Sequence, residues 1–220
     1  MELLPNQPST FLVSAFIILP LLMISGLAFI AKSWKFTLYL GLWVLCTGIF
    51  AYSGRLTDFS TLPPPGFALL IIAIFAAISL PFSKAGAFLS KQPLQLIVGF
   101  QSFRIIVEIA IHLAVLEGVA PPQMSWSGLN YDIFAGISAL LIFPLAQRIT
   151  KWSLILLNTV ALCSLLWTLF VAVCSLPIPI QQFTPAGIWV TVFPFNWLPS
   201  ILVPIALLGH IALFRKLAKF

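Results

Sequence analysis

Arg104, Glu108 and His112 stand four residues apart inside one long apolar segment. That spacing puts all three on one face of a helix. Ionised side chains are costly in hydrocarbon, so they face protein or a water-filled cavity, and the segment that carries them is a candidate functional site. Two further features join them: His210 within the last apolar segment, and Asn130 with Asp132 at the start of another. Three chemistries fit these residue types. A fixed guanidinium, Arg104, recognises a carboxylate or phosphate. Glu108 and His112 can relay a proton. Glu108, His112, Asp132 and His210 offer two imidazoles and two carboxylates, a set that suits a divalent metal such as zinc or iron. No H-x-x-x-H or H-E-x-x-H spacing accompanies them. Each residue also has a structural alternative. Arg104 and Glu108 form an i,i+4 ion pair that locks their helix, Asn130 caps a helix whose first turn holds Asp132, and the histidines hydrogen-bond between helices. Glu117 is then a boundary residue.

The elements that must position these groups are membrane spans. The chain is 61% hydrophobic and only 7% charged, with a mean hydropathy of +1.12. A water-facing surface needs about 25% charged residues, so the composition predicts an integral membrane protein with the lipid bilayer as its solvent. Seven apolar stretches approach the length of a crossing, at roughly 10–31, 35–53, 66–82, 93–117, 131–147, 151–175 and 198–214. The fold expected over residues 1–220 is therefore one all-α, seven-helix polytopic domain. Turn-forming residues separate the stretches, as at Pro63-Pro64-Pro65-Gly66 and Pro121-Pro122. The leading segment has an acid and no basic residue before its apolar run, which predicts a retained helix over a cleaved signal. Cys46, Cys163 and Cys174 all lie in apolar stretches without a C-x-x-C partner, so neither a disulfide framework nor a zinc site is indicated.

Nine of the eleven basic residues occupy alternate connections: Lys32 and Lys35, Lys84 and Lys91, Arg148 and Lys151, and Arg215, Lys216 and Lys219. Glu2, Asp58, Glu117 and Asp132 fall on the other side. By the positive-inside rule the N-terminus is outside and the C-terminus cytoplasmic, as in a bacterial cytoplasmic membrane. The net charge of +6 then reflects insertion signals and not a nucleic-acid surface. Trp34 and Trp152 fall at the inner boundary, Trp126, Trp189 and Trp197 at the outer one, and Trp43 and Trp167 within spans as packing residues.

Rise along the helices gives depths. His112 lies roughly 8 Å below the outer boundary, Glu108 roughly 14 Å, Arg104 roughly 20 Å and His210 roughly 18 Å. Asn130 and Asp132 open the fifth span nearer the level of His112. Spans four, five and seven together then line a polar cavity open to the outside. The proline-rich stretch from Leu176 to Trp197 either covers that face or rests in the headgroup layer. Pro20, Pro144, Pro199 and Pro204 kink their helices and free carbonyls for other partners.

Several chemistries are poorly supported. Every lysine belongs to a cytoplasmic connection or tail, which excludes a retinal Schiff base. A haem held by His112 and His210 meets a depth mismatch of about 10 Å. The G-x-S-G of a rhomboid-like protease is absent, as are Gly-rich phosphate loops. Sugar-exporting seven-helix transporters share the topology, but their repeated P-Q signature is missing.

A more local pattern runs F-R-x-x-V-E, then P-x-x-M-[ST]-[FW]-x-G-x-N-[FY]-D-I-x-x-G-[IL]-[ST]-A, then L-P-x-x-x-V-P-x-x-x-x-x-H. It falls here on Arg104, Glu108, Pro121 or Pro122, Met124, Gly128, Asn130, Asp132, Gly136, Pro199, Pro204 and His210. In these stretches, Gln101–Ala139 and Phe195–Leu217, the chain resembles a family of small polytopic bacterial membrane proteins. It departs at Leu129, where an arginine is common. The resemblance implies a fold and a site location, not an activity. The expected function is binding or translocation of a small molecule or lipid-like ligand. An intramembrane metal-dependent enzyme and an accessory or sensory subunit of a larger membrane complex are the alternatives. The sequence names no protein partner.

Overall fold

The computed structural model describes residues 4–219. Among the described residues the chain forms eight α-helices and no strand. The helices are α1 (Thr10–Ala31), α2 (Trp34–Tyr52), α3 (Pro65–Ser79), α4 (Leu94–Phe100), α5 (Phe103–Leu116), α6 (Asp132–Ile142), α7 (Lys151–Val173) and α8 (Val203–Leu217). Six stretches are long and apolar enough to cross a membrane: α1, α2, α3 with its extension to Phe82, α4 and α5 together, α7, and Leu198–Leu217. Their outward faces carry large bare side chains, such as Phe29 (80% exposed) and Phe75 (73%). Contiguous apolar surface of this kind is solvated by lipid. The protein is an all-helical, multi-pass membrane protein. The seventh expected stretch is a shorter apolar helix, Asp132–Leu145, about 21 Å long at 1.5 Å per residue against a hydrocarbon core of about 30 Å.

Local chemistry sets the helix ends. Ser9, Ser33 and Thr150 cap α1, α2 and α7 by accepting from Leu12, Phe36 and Ser153 N–H, and Lys32 closes α1 in a left-handed conformation. Glu117 is more than a boundary residue. Its carboxylate accepts from the Ser9 backbone N–H at 2.7 Å and the Ser9 hydroxyl at 2.6 Å, so the end of α5 holds the start of α1.

Two expected spans depart from a single regular helix. The fourth divides at Gln101 and Ser102, where backbone N–H groups reach back three residues and the Ser102 hydroxyl donates to Gly99 O. The last begins as a π-helical turn, Leu198–Leu202. Pro204 has no N–H to offer the Ser200 carbonyl, and the Trp43 indole donates to it instead, at 2.9 Å.

α8 is the hub of the bundle. Ile205 through His210 are all buried, with α3, α4 and α7 packed around it. The stretch after α7 enters the core. Trp189 and Phe195 pack edge-on against Phe16 of α1, and Trp197 lies against Gly48 of α2. Trp189 and Trp197 are therefore buried packing residues and not members of an interfacial belt. Trp43 packs against the core and Trp167 against Phe170, as expected of packing residues within spans, and their indoles hydrogen-bond the Ser200 and Leu129 carbonyls.

Candidate functional site

Arg104 lies in the first turn of α5, 2% exposed. Its guanidinium grips both oxygens of Asp132 at the start of α6: Nε donates to Oδ2 at 2.6 Å, and Nη2 pairs with Oδ1. Nη2 also donates to the Ala161 carbonyl of α7 at 3.2 Å. Nη1 meets His210 Nε2 of α8 at 2.9 Å. A guanidinium has no lone pair to offer, so Nε2 of His210 must accept, and the ring proton sits on Nδ1. That proton points at Asn158 Oδ1, 2.8 Å away. Asn158 Nδ2 donates in turn to the His210 carbonyl. The result is a chain, Asp132–Arg104–His210–Asn158, that ties α5, α6, α7 and α8 together.

The expected Arg104–Glu108 ion pair does not form. Among the described residues Asp132 is the only carboxylate within ion-pairing distance of Arg104. The reason is backbone approach. A Cβ on Gly136, one turn beyond Asp132, would meet Ile105 N at 2.9 Å and Arg104 Cβ at 3.3 Å. Only glycine lets α6 come this close to α5, and that brings Asp132 to the guanidinium. Asp132 thus reaches the level of Arg104, not the shallower level of His112 that the rise arithmetic assigns.

Glu108, also 2% exposed, accepts instead from Asn130 Nδ2, at 2.6 Å on Oε2. Asn130 is fully used. Its second amide hydrogen goes to Met124 O, and its Oδ1 accepts from Asp132 N–H and the Thr168 hydroxyl. The bond to Asp132 N is an Asx turn just ahead of α6 and not the helix cap expected of Asn130, since Tyr131 holds the N-cap position and makes no side-chain cap bond. Among the described residues Glu108 Oε1 has no hydrogen-bond partner.

His112 stands apart from the others. Its Nδ1 meets the Ser125 hydroxyl at 2.6 Å, and its ring stacks on Trp126 with centroids 4.1 Å apart. No group of three His, Cys, Asp or Glu side chains gathers at metal-ligand distance among the described residues. The set Glu108, His112, Asp132 and His210 is therefore not assembled. Arg104 occupies the space between Asp132 and His210, and the direct Glu108–His112 proton relay has no hydrogen bond to carry it.

Two cavities flank the Arg104 chain. The first, about 70 Å³, lies toward the end of the bundle where α5 and α7 finish and α8 begins. Glu108, Arg104, Asp132 and Thr168 form its polar edge. The rest is apolar, from Leu70 of α3, Leu165 and Leu169 of α7, and Leu202 and Val203. Leu176, Val190 and Leu198 reach it from the stretch after α7, in keeping with a cover more than with a headgroup-layer loop. The second cavity, about 40 Å³, is edged by Gln101, Asn158 and His210. Gln101 Nε2 donates to Ala206 O at 2.9 Å, while its Oε1 is buried without a partner, the position of a hydrogen-bond donor such as water. The site is thus mostly apolar, and α7 lines it along with the three spans expected, joined by Leu70 of α3. Comparison with protein-family models, curated proteins and solved structures finds no match to this chain.

Proposed function

We propose that this protein binds a small amphipathic ligand in the cavity beside Glu108 and passes it toward the second cavity when the Arg104–Asp132 pair opens. One observation carries the reading: Glu108 lines an apolar cavity, and among the described residues no hydrogen bond reaches its Oε1. A carboxyl oxygen in that position favours a ligand with an apolar body and a hydrogen-bond-donating or cationic head. Asp132 already balances Arg104, so Glu108 is the carboxylate in excess. Arg104 binds the wall of one cavity through Asp132 and the wall of the other through His210 and Ala161, which makes it the partition between them.

The orientation belongs to the same proposal. Seven crossings, with the N-terminus outside and the C-terminus in the cytoplasm of a bacterial cell, accord with the alternation of basic residues. The first cavity then lies on the outer side. The likeness to small polytopic bacterial proteins is part of this reading, and it bears on the fold and the place of the site, not on an activity.

Calorimetric titration of the purified protein with n-butylamine, butanol and butyrate tests it, since the chains match and the heads differ. The amine binds and butyrate does not, and Glu108→Gln abolishes amine binding with the fold intact. Equal binding of butyrate, or unchanged amine binding in Glu108→Gln, refutes it. The saturated hydrogen bonding of Arg104 favours a second reading, in which the chain Asp132–Arg104–His210–Asn158 is a lock within an accessory subunit. A protein that folds with this chain intact and binds none of the three probes would select that reading.

A further inference from the structure

A second, larger depression runs along the outside of α8, between α3 and α7. It has a volume of about 480 Å³. Val203, Leu207 and Ile211 of α8 form its floor, with Ile78 of α3 and Leu166 of α7 on its walls. Its lining side chains are apolar except for Arg215, which closes one end. From Val203 to Arg215 the floor extends about 18 Å along the helix. One leaflet contributes about half of a hydrocarbon core roughly 30 Å thick, so the groove matches the depth of a single leaflet.

The chemistry of the closed end identifies the occupant. The Arg215 guanidinium stands over the Phe82 ring, 4.8 Å from its centroid. Among the described residues no carboxylate lies within ion-pairing distance of it. A cation fixed at the mouth of an apolar, leaflet-deep groove is complementary to a phosphate headgroup that carries an acyl chain. We infer that one acyl chain of an anionic phospholipid lies in the α3–α7 groove with its phosphate on Arg215. The inference does not depend on Glu108. The groove nevertheless shares Leu165, Leu169 and Val203 with the first cavity, so the lipid chain ends beside that cavity's wall.

Native mass spectrometry of the full-length protein in an equimolar mixture of phosphatidylglycerol and phosphatidylcholine, with identical chains, tests this. The wild type retains one phosphatidylglycerol about fivefold over phosphatidylcholine, the ratio expected from one cation near an anionic headgroup. Arg215→Gln removes the preference and Arg215→Lys keeps it. Leu166→Trp, a substitution on an exposed groove wall, lowers retention of both lipids while the melting temperature holds. Equal retention of the two lipids by the wild type overturns the inference. So does a phosphatidylglycerol preference that survives in Arg215→Gln, or a second protein chain held in place of lipid. None of these outcomes alters the butylamine result, so the two readings fail separately.

Discussion

Asp132→Asn keeps the size of the side chain and removes the charge that balances Arg104. The guanidinium would then be a buried cation among neutral acceptors only: the amide oxygen at position 132, His210 Nε2 and the Ala161 carbonyl. Removing one partner of a buried ion pair costs about 3–5 kcal/mol, mostly from the charge left uncompensated. For a chain of this length each kcal/mol moves the melting temperature by about 2–4 °C, so the expected fall is about 6–20 °C. Asp132→Asn combined with Arg104→Met removes the stranded charge and recovers most of that loss, because the penalty lies mostly in the uncompensated charge. A double-mutant cycle in detergent, read by tryptophan fluorescence on heating and by denaturant titration, gives the coupling directly. The coupling of Arg104 to Asp132 exceeds about 2 kcal/mol, and that of Arg104 to Glu108 is smaller. A loss under about 1 kcal/mol for Asp132→Asn, strict additivity, or a larger coupling to Glu108 would each show that the pairing described above does not hold the bundle.

Three further outcomes follow from the same contacts. Gly136→Ala places a methyl group against Ile105 N and Arg104 Cβ and costs about 1–3 kcal/mol by overpacking, measured as a lower unfolding midpoint. Asn158→Leu strands the His210 Nδ1–H and costs about 1–3 kcal/mol; ¹⁵N spectra of the imidazole show the Nδ1–H tautomer in both proteins, because Arg104 still donates to Nε2, with the Nδ1 resonance shifted in the variant by loss of its hydrogen bond. Trp43→Phe leaves the Ser200 carbonyl without its donor, which also costs about 1–3 kcal/mol and speeds amide exchange around the π-helical turn.

Apolar length and charge placement make the membrane-helical architecture legible from the sequence. The convergence of Arg104 and His210 is legible too, since rise per residue puts them at one depth and their Nη1–Nε2 separation is 2.9 Å. What rise cannot give is the path of a connection. Residues 118–131 fold back on themselves, with Asn130 N–H on Ser125 O and Leu129 N–H on Gln123 O, and this delivers Asp132 to Arg104 in place of Glu108. Asn158, Thr168 and the Ala161 carbonyl escaped notice because uncharged residues in α7 give no signal of their own. Their roles appear only once α7 is seen against α5 and α8. Gly136 is marked in the sequence only as part of the local pattern, and its value lies in which two helices it brings together. Pro204 was the better clue: its missing N–H predicted a free carbonyl, and Trp43 takes it.

The central claim is that Glu108 offers an unpartnered oxygen to a ligand within the bundle. A high-resolution cryo-electron microscopy map of the protein in lipid nanodiscs tests it most directly. The account predicts non-protein density in the first cavity, within hydrogen-bond distance of Glu108 Oε1, and the Arg104–Asp132 pair closed beneath it. A map in which Oε1 is hydrogen-bonded to a protein side chain, with the cavity filled by its neighbours, would contradict it.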